Sequence, residues 1–301
     1  MSETALLTGR SRTLVAVVTH PAEVHATRPP PAALLLNAGF QHHVGPHGIY
    51  VRLARELAEL GFLAVRLDFS GLGDSPARTD NALPQESHLA EAREVMDDLS
   101  SRFGCAAFAP LGLCSGGRES LRLAQLDERV CGALLINPVD HLHDDSDPEL
   151  TTMLRARALR RHYLRLAFRS SFRPQVWRQA LRGDFNTGLV RRSLRGLLSS
   201  RASTAASPVS SFSPAETLKN LQSLRQRGVN VLHVYSEGDP AVDYFHVVLG
   251  RHASSVPSVL VRGANHTFTP LWCRDELSSI VAHWAEQVLE RQQARPGTAV
   301  L

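Results

Sequence analysis

At 301 residues, 43% of them hydrophobic, the chain is long enough to bury a substantial core as one domain with an insertion, and its formal net charge of +4 sets up no global field for nucleic acid. It holds no uncharged apolar run of the roughly 18 residues that a membrane span needs, and Met1-Ser2-Glu3-Thr4 lacks the basic start of a secretory leader. A cytoplasmic protein without membrane insertion is expected.

Apolar runs at 13–18 and 33–36 predict strands, the second ending at Asn37. Residues 50–60 have helical spacing, 62–69 read as a strand and 88–103 as a helix. A strand at 106–111, a helix at 118–123 and a strand at 130–136 follow. This βαβ rhythm predicts an α/β fold, a mostly parallel central sheet flanked by helices on both faces. The rhythm then stops over residues 140–211, too long a gap for a simple loop, and a helical cap insertion is expected there. Within it 150–168, 176–181 and 189–198 read as helical, and 199–213, rich in serine and alanine, as a flexible return linker. The α/β core would comprise 1–139 and 212–301, with strands at 229–235 and 256–261, a last helix at 276–292 and a frayed tail.

Cys105, Cys114, Cys131 and Cys273 show neither metal-ligand spacing nor a disulfide framework. One of them stands in a distinctive place, Gly112-Leu113-Cys114-Ser115-Gly116, between a strand and a helix. A strand that turns sharply into a helix strains the backbone at the turn, and the residues two before and two after must be small to avoid colliding. With Cys114 at the turn these are Gly112 and Gly116. With Ser115 there they are Leu113 and Gly117, and the leucine side chain has no room. The spacing selects Cys114 as nucleophile, against the plainer reading of a buried small hydrophobe.

A cysteine nucleophile needs a base, an orienting acid and an oxyanion hole. His266, in Gly263-Ala264-Asn265-His266, follows the last strand and is the expected base. Asp239, in Glu237-Gly238-Asp239-Pro240, follows the penultimate strand and is the expected acid; Glu237, Asp243 and Asp140 are alternatives, and each also reads as a turn-forming carboxylate. The oxyanion hole is expected from the backbone amides of Ser115 and Phe40, the latter in Asn37-Ala38-Gly39-Phe40-Gln41-His42-His43, where Gly39 lets the chain bend. Gly39, His42 and His43 would line the substrate pocket. Neither these histidines with His47 nor His141 with His143 make a persuasive metal site, so no metal and no other cofactor is expected.

These residues, with the turn Asp68-Phe69-Ser70-Gly71-Leu72-Gly73-Asp74-Ser75, resemble the α/β-hydrolase superfamily over most of the chain outside the insertion, and within it the bacterial serine aminopeptidase and monoglyceride-lipase-like branch. The chain departs from that branch in carrying Cys114 for serine and Asn37-Ala38-Gly39 for the usual histidine-glycine turn. Its cysteine is similar to that of dienelactone hydrolases and some natural-product thioesterases. The resemblance implies a Cys114, Asp239, His266 triad in the chain order nucleophile, acid, histidine.

At a helix N-terminus and beside His266, Cys114 would favour its thiolate. Attack on an ester or thioester would give an acyl-cysteine that water, an amine or an alcohol could resolve, so a thioesterase and an acyltransferase are both open. Arginine carries nearly all the positive charge, Lys219 being the one lysine, and arginines from Arg155 to Arg195 crowd the insertion with Asp184 the single acid among them. Arg155 and Arg161 are the candidate substrate contacts. Such a cap suits an anionic partner, an acyl group on the phosphopantetheine arm of an acyl carrier protein or of coenzyme A. The other reading is the solvated face of amphipathic helices in an arginine-biased bacterial proteome. Nucleic acid is disfavoured, because no aromatic residues interleave the basic stretch. A non-catalytic binding protein that keeps the pocket and a plain carboxylesterase or peptidase-like hydrolase are the alternative functions.

Overall fold

The computed structural model describes residues 2–21, 29–80, 82–138, 142, 148–171 and 214–294. Eight strands form one sheet: β1 (Glu3–Thr8), β2 (Leu14–Thr19), β3 (Ala32–Leu36), β4 (Leu63–Leu67), β5 (Phe108–Leu113), β6 (Gly132–Ile136), β7 (Asn230–Ser236) and β8 (Ser258–Val261). Their order is β1-β2-β4-β3-β5-β6-β7-β8. The β1–β2 and β2–β4 pairings are antiparallel and the remainder parallel, so the expected mostly parallel sheet is present.

Parallel strands covered on both faces have no polar side to show, and β3, β4, β5 and β6 are buried at every residue. Successive side chains serve opposite faces. In β3, Ala32, Leu34 and Leu36 join a core with Leu89, Val95, Met96 and Leu121, whereas Ala33 and Leu35 join one with Leu53, Leu57, Leu277 and Trp284. The first core is closed by α2 (Pro84–Phe103) and α3 (Ser115–Leu126), the second by α1 (Ile49–Glu59) and the long C-terminal helix Leu271–Ala294. In the second core Trp284 is anchored through its indole N–H to the Asn230 carbonyl at 2.9 Å.

The chain divides into two compact units, one of Met1–His141, Leu218–Gly238 and Pro257–Leu301, the other of Leu142–Thr217 and Asp239–Val256. The sheet lies in the first. In the second, α4 (Pro148–Ser171), which contains the expected helix at 150–168, packs on a helix that the sequence reading did not anticipate, Ala241–Leu249. With α5 (Ala215–Gln226) preceding β7, that helix is α6 and the C-terminal one α7. Asp243 on α6 fastens the pair, accepting from Arg165 Nη2 at 2.8 Å and lying 3.1 Å from His162 Nδ1 and 3.4 Å from Arg161 Nε. The expected helices at 176–181 and 189–198, the linker at 199–213, and Asp140, His141 and His143 lie outside the described residues.

Candidate active site

At the end of β5 the chain turns directly into α3, and Cys114 takes the strain, with φ 59° and ψ −119°. A side chain rarely adopts that region, and a non-glycine residue held there marks a position that its surroundings over-determine. The flanks explain why. A Cβ on Gly112 would meet the Gly116 carbonyl carbon at 2.5 Å, and one on Gly116 would meet the Leu36 oxygen at the same distance. The register is therefore Cys114 at the turn and Ser115 at the first position of α3, with Leu113 still in the buried strand. The Cys114 amide is bound to the Ile136 carbonyl at 2.9 Å. Beneath the turn Tyr50, fully buried, donates from Oη to the Leu36 carbonyl and accepts from the Leu113 amide, clasping the ends of β3 and β5. Burial raises its phenol above the ordinary value.

The four thiols differ in setting. Cys105, Cys131 and Cys273 are buried, Cys131 donating to the Phe108 carbonyl and Cys273 to the Pro270 carbonyl; burial pushes Cys105 up to about 12 and raises Cys273 as well. Cys114 is half-exposed at the mouth of the turn.

His266 lies in a half-buried loop after β8. One residue missed by the sequence reading builds this loop. Asn137, at φ 42° just past β6 and fully buried, donates from Nδ2 to the His266 carbonyl and to Ser236 Oγ, both at 2.8 Å, and accepts the Ser236 amide at 2.7 Å. The backbone thus runs from the Cys114 amide to Ile136, and the next residue grips His266. Its only sequence signal was a polar residue abruptly ending an apolar strand before Pro138. The loop is further fixed by the Gly238 amide on the Ala264 carbonyl at 2.8 Å and the Gly263 amide on Glu237 Oε2 at 3.0 Å. Asp239 follows Gly238; it is buried and its Oδ1 accepts the Ala241 amide at 2.7 Å, at the start of α6. Of the alternative acids, Glu237 is taken up by Gly263 and Asp243 by the α4 cations.

The loop after β3 is organised by Asp68, which has no exposed surface. Its carboxylate accepts from Asn37 Nδ2 at 2.8 Å, His43 Nδ1 at 2.7 Å and the Asp74 amide at 3.1 Å, while Asn37 Oδ1 accepts the Phe69 amide. Burial by itself would raise the Asp68 carboxyl, but these hydrogen bonds, led by His43, outweigh it and hold the group below the usual carboxylate range. Gly73 is required in the turn because a Cβ there would overlap the Asp68 carboxylate. His42, His43, Asp68 and Asp74 each offer a ligand atom within 4.8 Å of the others. Hydrogen bonding accounts for their convergence: the Val44 amide donates to His42 Nδ1, which leaves the proton on Nε2, and Nε2 faces Asp74 at 3.1 Å. His47 lies 3.3 Å from Thr269 Oγ1, beyond His266.

Of the expected oxyanion residues, Ser115 stands beside Cys114, and the contact that ties the β3 loop to it runs through Gly39, whose amide donates to Ser115 Oγ at 2.8 Å. Phe40, the next residue, is 94% exposed. Arg155 is exposed on α4, and Arg161 is engaged by Asp243. Among the described residues no helix is long and apolar enough to cross a membrane.

The family whose description is "alpha/beta hydrolase fold" matches residues 31–268. No curated protein matches the chain. Among solved structures, the chain is similar to an esterase of Pyrococcus furiosus (TM-score 0.58, 11% identity, 96% of this chain and 90% of that one). It is likewise similar to a putative α/β-hydrolase of unknown function from Agrobacterium tumefaciens (0.56, 14%, 96% and 97%) and to a putative hydrolase from Agrobacterium vitis (0.54, 20%, 94% and 98%). Identities this low speak for the fold alone. Taken with the strand order, the glycine-flanked turn after β5 and the histidine loop after β8, the match over residues 31–268 makes the chain a member of the α/β-hydrolase fold family.

Proposed function

We propose that the protein is a cysteine-dependent acyl-transfer enzyme, a thioesterase or acyltransferase in which Cys114 attacks an ester or thioester carbonyl. The observation that carries this is the strained Cys114 itself, half-exposed at φ 59° on the N-terminus of α3 while the other three thiols are buried. Strain of this kind persists only where the surroundings impose it. His266 serves as base for the thiol and as acid for the leaving group, and Asp239 orients it. The acyl-cysteine formed is itself a thioester and passes to water or to another nucleophile.

Intact mass spectrometry with a chloroacetyl or thioester probe tests the assignment. One adduct on the wild type, mapped to Cys114 and lost in Cys114→Ala, is expected. No adduct, or an equal one on the variant, rejects the nucleophile and leaves a binding protein.

The substrate proposed is an acyl group on a phosphopantetheine arm, borne by coenzyme A or an acidic carrier protein. Its support is the basic stretch of the insertion, of which Arg155, Arg157 and Arg160 stand exposed on α4. Arg157→Glu with Arg160→Glu should raise KM for a carrier-bound thioester and leave turnover of a short neutral ester unchanged. Equal kinetics on the carrier substrate would remove the partner from the scheme.

A further inference from the structure

We propose that the Ser115 hydroxyl is a working part of the oxyanion hole, donating its proton to the carbonyl oxygen that Cys114 activates; this rests on the acyl-transfer reading and deepens it. The known geometry of such sites uses the backbone amide after the nucleophile. Here the same residue brings a second donor. Ser115 Oγ already accepts the Gly39 amide at 2.8 Å, so its lone pair is engaged on the loop side and its own proton remains to be given. Among the described residues no acceptor takes that proton, and none takes the Ser115 amide proton. A hydroxyl that accepts one hydrogen bond is polarised into a better donor. A substrate oxygen bound at the N-terminus of α3 would meet the amide and the hydroxyl of one residue.

The step balances without a further reactant. The Cys114 thiolate forms the C–S bond to the carbonyl carbon and the C=O π pair moves to oxygen, where Ser115 N–H and Oγ–H bind the charge. Collapse restores C=O and expels the leaving group with its bonding pair; 4-nitrophenolate departs as the anion, and a more basic leaving group takes the proton from His266.

A purely structural Ser115, one that only pins the β3 loop, predicts different chemistry from a donor. Alkylation of Cys114 by iodoacetamide proceeds without an oxyanion, whereas acylation by 4-nitrophenyl acetate requires one. In the full chain, Ser115→Ala should slow the acylation burst about 100-fold, the scale of one lost oxyanion donor. Alkylation of Cys114, followed by peptide mapping, should keep its rate and its pH profile. Ser115→Thr, which retains the hydroxyl, should recover most of the acylation rate. Unchanged acylation in Ser115→Ala overturns the proposal, as does a fall in alkylation that tracks the fall in acylation. A wild type whose Cys114 takes neither adduct overturns the nucleophile assignment itself, which is a separate result.

Discussion

Asp68 in the first unit and Asp243 in the second are both almost wholly buried, yet their partners are of different kinds. Asp68 is held by short groups: the Asn37 amide, the His43 ring and the backbone N–H of Asp74. Asp243 is held by long cationic side chains from one helix, Arg161 and Arg165, with His162 between them. Short donors have few rotamers to lose, so the first arrangement fixes where backbone lies, as a loop that must present Gly39 to Ser115 requires. Long donors neutralise a charge and tie α4 to α6, and they tolerate adjustment. The difference separates a carboxylate used for geometry from one used for cohesion.

The largest effect should come from Asp243→Ala. It leaves Arg165, only 27% exposed, and the buried His162 without their shared anion, which costs about 3 kcal/mol and should lower the urea midpoint of the unit containing α4 and α6. Acylation of Cys114 by a small ester should survive, since that cluster supplies cohesion alone. Asp68→Asn should behave in the opposite sense. Its new amide faces two donors, costs roughly 2 kcal/mol, and should depress acylation out of proportion to stability because the β3 loop shifts. Equal losses of stability and of acylation in both variants would erase the distinction.

Acid sharpens it. Asp68 has a folded pKa below its unfolded value, so its stabilisation is complete above the unfolded value and disappears as pH falls through the folded one. His233, pushed down to about 4 by complete burial, loses its contribution over the range from its ordinary 6.5 to about 4. Below about pH 4 the decline therefore belongs to carboxylates, Asp68 and the Arg129-paired Asp127 among them. Urea midpoints for Asp68→Asn should fall less steeply there than for the wild type; parallel curves would show that Asp68 carries no proton-linked stability.

The regions differ equally in how far their sequence disclosed them. The strands β3, β5 and β6 were legible because total burial makes them unbroken apolar runs, and β4 because Arg66 alone interrupts its apolar residues; the position of Cys114 at the turn was legible because the sterics there act only two residues away, on Gly112 and Gly116. β1 was missed: an edge strand exposed at Glu3, Thr4 and Ala5 carries no apolar run. α6 was missed because nine residues give too short a window to separate a helix from a buried strand. The partners of Asp68 and Asn137 were beyond reach, since hydrogen bonds spanning 31 residues for Asn37 with Asp68 and 129 for Asn137 with His266 leave no local pattern. In the β3 loop, where the oxyanion hole is expected, the residue that touches Ser115 is Gly39, a choice set by backbone conformation and not by side-chain type.

The smallest effect separates the two arginines on Asp243. Arg165 approaches at 2.8 Å, while Arg161 reaches only 3.4 Å and is 53% exposed. An exposed guanidinium is screened by water and loses side-chain entropy on pairing, so Arg161→Ala should cost about 0.5 kcal/mol or less. Arg165→Ala removes the shorter and better covered contact and should cost more. Salt provides the check: the stability difference between wild type and Arg161→Ala should vanish by about 1 M NaCl, where the screening length is roughly 3 Å, while that for Arg165→Ala persists. If both differences vanish together, the Asp243 cluster is a surface ion pair in energetic terms, and its cohesion of α4 with α6 comes from apolar packing alone.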